Sequence, residues 1–212
     1  MIKAVIFDMG GVVVNLDAGI CTANFKSLAG FDSITEYLDL FHQKGFISDL
    51  EEGLTTVDEF YAECLKHCRP GTTPDIIDTC FRSLLTGLKP ATVALLKELK
   101  PDYDLFILSN NNPIARAKFE ELLEEAGITG AEFFKKEFYS YEMRLLKPGK
   151  EIFEQAVREI GVKPEEVLFI DDSKSNAEGA RAAGITTIWL APGVDIRAAV
   201  MEVLKPNNSN VK

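Results

Sequence analysis

Five residues of this chain stand where they could act together on a charged substrate. Asp8 closes the apolar run Lys3–Phe7, Ser109 closes Leu105–Leu108, Asp171 and Asp172 close Val167–Ile170, and Lys147 precedes Pro148. Carboxylates are hard oxygen donors for a divalent cation and serve as nucleophiles or proton carriers. A hydroxyl and an ammonium offset negative charge that develops beside them. Singly, each is an ordinary turn or cap residue. Their combination at the ends of apolar runs is the signal.

The elements that must position them follow from periodicity. Lys3–Phe7, Leu105–Leu108 and Val167–Ile170 are short apolar runs with no helical period, as expected of strands buried on both faces. Thr186–Leu190 reads as a fourth strand, and Phe138-Tyr139 as part of a weaker fifth. Between them lie helices. Pro148 is placed to open one, with Ile152, Phe153, Ala156, Val157 and Ile160 on one face and Gly161 as its stop. Ser175–Ala183 reads as a second helix, followed by Gly184. This alternation predicts an α/β, doubly wound (Rossmann-like) parallel sheet, with ligands gathered beyond the carboxyl ends of its strands.

From about residue 18 to residue 88 the alternation stops. A helix capped by Thr55 or Thr56 and running through Arg69, and a stripe of Ile76, Ile77, Cys80, Phe81, Leu84 and Leu85, are helical patterns, and no strand is evident. The expected organisation is a core of residues 1–16 and 89–212, with an all-α cap, residues 17–88, inserted after the first strand. The residues after Pro206 read as a frayed tail.

A formal net charge of −10 argues against general affinity for nucleic acid or an anionic membrane. It leaves anionic substrates open, because a metal ion and a lysine make a site locally positive. No run reaches the length of a membrane-spanning helix, and MIKAVIFD enters a strand-like segment where a signal peptide would carry its apolar region. A cytoplasmic protein is the expectation. Cys64 and Cys68 flank His67, but no second pair accompanies them, so the four cysteines are read as free thiols.

FDMGGVV (Phe7–Val13), LSNNN (Leu108–Asn112), SYEMRLLKP (Ser140–Pro148) and FIDDSKSN (Phe169–Asn176) resemble, in order and spacing, the four motifs of the haloacid dehalogenase superfamily. The helical block lies where that family places a type-one cap, so the resemblance covers nearly the whole chain. Within the family it is most similar to the small sugar phosphatases that include alpha-glucose-1-phosphate phosphatases. The resemblance implies hydrolysis of a small phosphorylated metabolite through an aspartyl-phosphate on Asp8. It implies Mg2+ held by Asp8, the Gly10 carbonyl and Asp171, with Asp172 a ligand or a supporting group. Ser109 and Lys147 would hold the phosphoryl group, and the backbone after Asp8, left open by Gly10 and Gly11, would complete its cradle. Asn176 would orient Lys147 or a metal-bound water. Asn110 would contact substrate or cap the next helix. Glu142 matches a third-motif position, and Arg144 stands where relatives usually carry glycine, so the loop before Lys147 is expected to differ in shape.

The departure is Gly10, where phosphatases of the family usually carry the aspartate that protonates the leaving group. Such assistance is typically worth about 10²–10⁴-fold. Three consequences are open: substrates with better leaving groups, such as sugar 1-phosphates; a proton from elsewhere, with Asp17, Glu51, Glu52 and His42 as candidates; or weak activity, leaving a protein that binds phosphorylated metabolites or a protein partner. The Asp171-Asp172 pair argues against carbon–halogen hydrolysis, which needs no metal. Phosphonate cleavage would need a cap lysine, for which Lys44 and Lys66 are the candidates.

Overall fold

Five parallel strands form the centre of the molecule. The structure is a computed structural model and describes residues 1–39 and 43–205. The strands are β1 (Ala4–Phe7), β4 (Asp104–Ser109), β5 (Phe134–Tyr139), β6 (Val167–Asp171) and β7 (Thr186–Trp189), and they lie side by side in the order β5-β4-β1-β6-β7. β1 and β6 are buried along their whole lengths, which is why they read as unbroken apolar runs. β5 is longer than Phe138-Tyr139 suggests: exposed Lys135 and Lys136 interrupt its apolar character on the sheet edge.

Strand pleating sorts the core into two layers. Val5, Phe7, Leu105, Ile107, Leu168 and Ile170 face one side, with α5 (Pro90–Leu99), α6 (Pro113–Glu125) and α11 (Ile196–Leu204). Ala4, Ile6, Phe106, Leu108, Val167 and Phe169 face the other, against α9 (Lys150–Ile160) and α10 (Lys174–Ala182). Two single-turn helices, α7 (Gly130–Phe133) and α8 (Ser140–Met143), flank β5. The chain moves outward from β1 to β4 and β5, then returns to β6 on the other side. The reversal falls beside β1, at whose carboxyl end Asp8 lies.

The helical insertion comprises α1 (Ala18–Asn24), a π turn (Phe25–Ala29), a 3-10 turn (Asp32–Glu36), α2 (Phe46–Glu51), α3 (Val57–Leu65) and α4 (Pro74–Arg82). Phe25, Phe31, Phe60 and Phe81 fill its interior, meeting edge to face at centroid separations of 5.3 to 6.5 Å. The expected absence of strands here is corrected by β3 (Leu85–Leu88), which pairs antiparallel with β2 (Val14–Leu16) in a ribbon through which the chain enters and leaves the helices. Leu84 and Leu85 continue the apolar stripe of α4 in sequence, so the strand was hidden in a helical period. Three helix boundaries also differ from expectation. α3 is opened by Thr56 in a reciprocal cap with Glu59 but ends at Leu65. α9 begins at Lys150, two residues after Pro148. α10 begins at Lys174 because the Ser173 side chain caps it.

Candidate functional site

Asp8, Ser109, Asp171 and Lys147 converge at the carboxyl edge of the sheet, all of them buried. Lys147 spends its three protons on Asp171 Oδ2 (2.8 Å), Asp8 Oδ1 (2.9 Å) and the Leu108 carbonyl (3.0 Å). Burial works against its charge, but Asp171 and Asp8 together outweigh that and raise its pKa. Its backbone is held as closely. The Asn110 amide donates to the Lys147 carbonyl (2.9 Å) and accepts from the Lys147 N–H (2.8 Å). Asn110 therefore positions the lysine, and the residue that caps α6 is Asn112.

Asp171 is engaged on both oxygens. Oδ1 accepts from the Ser173 N–H (2.8 Å), Oδ2 from Lys147, and both from Asn176 Nδ2 (3.2 Å each). Asn176 thus orients Asp171 rather than Lys147, while its own Oδ1 is buried without a partner among the described residues. Asp172 carries the carboxylate on the cavity side.

Ligand oxygens of Asp8, Asp171 and Asp172 lie within 4.8 Å of one another. Burial pushes Asp8 up to about 7, opposed by Lys147 and helped by Asp171 and Asp172. Burial, then Asp171, pushes Asp172 up to about 6. Three crowded carboxylates, with a buried acceptor beside them that a water could satisfy, are a hard-oxygen donor set that fits a magnesium ion. Such an ion, when bound, neutralises the carboxylates and polarises a phosphoryl oxygen.

The loop after Asp8 turns back at once. Val13 and Val14 N–H groups donate to the Met9 carbonyl, and Gly11 N–H to Val14. Lys89 bonds the Gly11 carbonyl, and Thr92 Oγ1 donates to the Val12 carbonyl at 2.7 Å. Neither residue was singled out from sequence, since a lysine and a threonine at a helix start carry no distinguishing pattern. Gly11 has φ 71°, and a Cβ there would sit 1.9 Å from Asp172 Oδ2. Only glycine fits both the turn and the carboxylate.

The cavity left between sheet and helices has a volume of about 70 Å³. Asp8, Gly10, Ser109, Lys147 and Asp172 line it, and α2 contributes Glu51. Burial pushes the Glu51 carboxyl up to about 8, partly offset by Lys147 and reinforced by Asp8. Its backbone is tied to the core: Ser140 Oγ accepts from the Asn111 N–H (2.9 Å) and donates to the Glu51 carbonyl (2.5 Å). Of the other proton donors considered, Asp17 caps α1 by accepting from the Ile20 N–H at 2.9 Å. Neither Asp17 nor Glu52 lines the cavity, and His42 lies outside the described residues.

Lys44 and Lys66 are exposed and away from the cavity, and Lys66 pairs with Glu63. The Schiff-base chemistry of phosphonate cleavage thus has no lysine from this pair. Glu142 pairs with Arg116 on the surface at 2.8 Å. Arg144 takes φ 55°, a left-handed conformation that favours glycine over a residue with a side chain. The four cysteines are free, and His67 stacks on Phe31 at 4.9 Å instead of joining a metal site with Cys64 and Cys68. Among the described residues no helix is long and apolar enough to cross a membrane.

The family model for haloacid dehalogenase-like hydrolases matches residues 2–184. A D-ribitol-5-phosphate phosphatase of Bacteroides thetaiotaomicron is 30% identical over 206 residues, 96% of this chain and 99% of that protein. A family enzyme of the same organism, crystallised with magnesium and inorganic phosphate, superposes with a TM-score of 0.86 at 32% identity, covering 94% of this chain and 99% of that one. A hydrolase from Porphyromonas gingivalis gives 0.85 at 31%, covering 97% and 99%. With a family model that spans most of the chain and a fold that superposes on a family enzyme over nearly its whole length, this chain belongs to the haloacid dehalogenase-like hydrolases.

Proposed function

We propose that this hydrolase is a magnesium-dependent phosphatase of small sugar or polyol phosphates that works through an aspartyl-phosphate on Asp8. The observation that carries the reading is the convergence of Asp8, Lys147 and the carboxylate cluster on one cavity lined by Ser109. Asp8 attacks phosphorus, and the electron pair of the broken bond goes to the leaving oxygen. Lys147 holds the nucleophile as a carboxylate, and the Ser109 hydroxyl donates to a phosphoryl oxygen. Asp8, the Gly10 carbonyl and Asp172 are the residues to hold magnesium, because Asp171 is already turned to Lys147, Asn176 and Ser173. Asp171 and Asn176 then act through Lys147 and the carboxylate cluster.

Residues 17–88 act as the cap, and the β2–β3 ribbon is the joint through which they connect to the core. The relative acting on D-ribitol 5-phosphate cleaves the ester of a primary alcohol, which favours that ester class here over sugar 1-phosphates. Four unpaired thiols suit the reducing cytoplasm.

The test is phosphate release with magnesium from polyol 5-phosphates, sugar 6-phosphates and sugar 1-phosphates, beside Asp8→Asn. Turnover selective for one class and lost in Asp8→Asn is expected. Equal release by wild type and Asp8→Asn would overturn the reading in favour of a protein that only binds phosphorylated metabolites.

A further inference from the structure

We infer that Glu51, delivered by the insertion, is the general acid–base that replaces the carboxylate missing at Gly10. The inference rests on the phosphatase reading above. Among the described residues, the acids that line the cavity are Asp8, Asp172 and Glu51, and the first two belong to the metal-binding cluster. Glu51 is therefore, among the described residues, the one acid lining the cavity that the cluster does not claim. It comes from the insertion, on the last residue of α2, and lines the same cavity as Asp8, Ser109 and Lys147.

Its placement is built in. Ser140, at the start of α8, bonds the Glu51 carbonyl with its hydroxyl while receiving the Asn111 N–H. Two residues on, Gly53 has φ 70° and packs so closely on Tyr141 that a Cβ would lie 2.2 Å from the Tyr141 carbonyl oxygen. Two contacts on either side of the same turn thus register Glu51 against the core segment that leads to Lys147. A carboxyl group pushed up to about 8 by burial is protonated at neutral pH, the state required to give a proton first.

In the first step the Asp8 carboxylate oxygen bonds to phosphorus, and the bond from phosphorus to the ester oxygen breaks. That oxygen keeps the electron pair and takes the Glu51 proton, leaving as the alcohol. In the second step the Glu51 carboxylate takes a proton from water as the water oxygen bonds to phosphorus. The bond from phosphorus to Asp8 breaks, and Asp8, protonated Glu51 and phosphate result.

The test compares kcat/KM of wild type and Glu51→Gln, with magnesium, on a polyol 5-phosphate and on 4-nitrophenyl phosphate, whose leaving group needs no proton. The expected loss is about 10²–10⁴-fold on the alcohol ester and less than about tenfold on the aryl ester. Glu51→Gln should also release a stoichiometric burst of 4-nitrophenolate, because its aspartyl-phosphate accumulates. Glu51→Ala should regain alcohol-ester turnover in acetate, which a structural role would not allow. Equal losses on both esters, with no burst and no acetate rescue, would overturn the assignment. Absence of Asp8-dependent turnover in wild type would instead overturn the phosphatase reading itself.

Discussion

Lys147 Nζ lies 2.8 Å from Asp171 Oδ2 in a site where both side chains are withdrawn from solvent. The pair matters because Asp8 shares the same ammonium at 2.9 Å. One buried cation thus holds two buried anions together, and removing it leaves both without their partner. Lys147→Met should cost about 3–5 kcal/mol of stability, read from urea midpoints without metal. Magnesium at about 100 times its Kd should return roughly 2.7 kcal/mol. An unchanged midpoint would show that the carboxylates tolerate one another without the lysine.

Gly11→Ala places a methyl group on the Asp172 carboxylate, in a backbone conformation that disfavours any side chain. Because the proposed magnesium ligand must then move, magnesium affinity should fall by about 10–100-fold, measured by calorimetric titration. Unaltered affinity would remove Asp172 from the ligand set.

Gly53→Ala acts at a distance from the ion. Its Cβ would meet the Tyr141 carbonyl, so the turn carrying Glu51 must shift. Magnesium affinity should be kept while kcat on an alcohol ester falls at least about tenfold, and positive-φ strain should cost about 1–3 kcal/mol. Equal kcat in the two proteins would show that the register of this turn does not matter to turnover.

Gly10→Asp would restore a carboxyl group two residues after the nucleophile. A Cβ at Gly10 comes within 2.9 Å of Leu16 Cδ1, the end of a flexible side chain, so the substitution has a modest obstacle. In a Glu51→Gln background, Gly10→Asp with Leu16→Ala should recover alcohol-ester kcat/KM by about tenfold or more. Further loss of turnover in folded protein would show that this position cannot present an acid to the leaving group.

By itself, the sequence determined the parallel sheet, its helical insertion and five of the residues at its edge: Asp8, Ser109, Lys147, Asp171 and Asp172. Short apolar runs such as Val5–Phe7 and Val167–Ile170, bounded by acids, read as strands buried on both faces, and parallel strands of that kind carry their functional residues at one end. The motifs also exposed the gap at Gly10, because a missing carboxyl group is visible in a residue type. Tertiary structure decided how the residues share their hydrogen bonds. Asn110 serves the Lys147 backbone, and Asn176 serves Asp171, choices that spacing does not encode. It also separated Glu51 from Asp17 and Glu52. All three are acids near a cap, and only packing of α2 onto Ser140 and Tyr141 sets which one faces the cavity. The β2–β3 ribbon escaped for the same reason: Leu84 and Leu85 satisfy a helix period, and antiparallel pairing of β3 with the distant Val14–Leu16 overrides it.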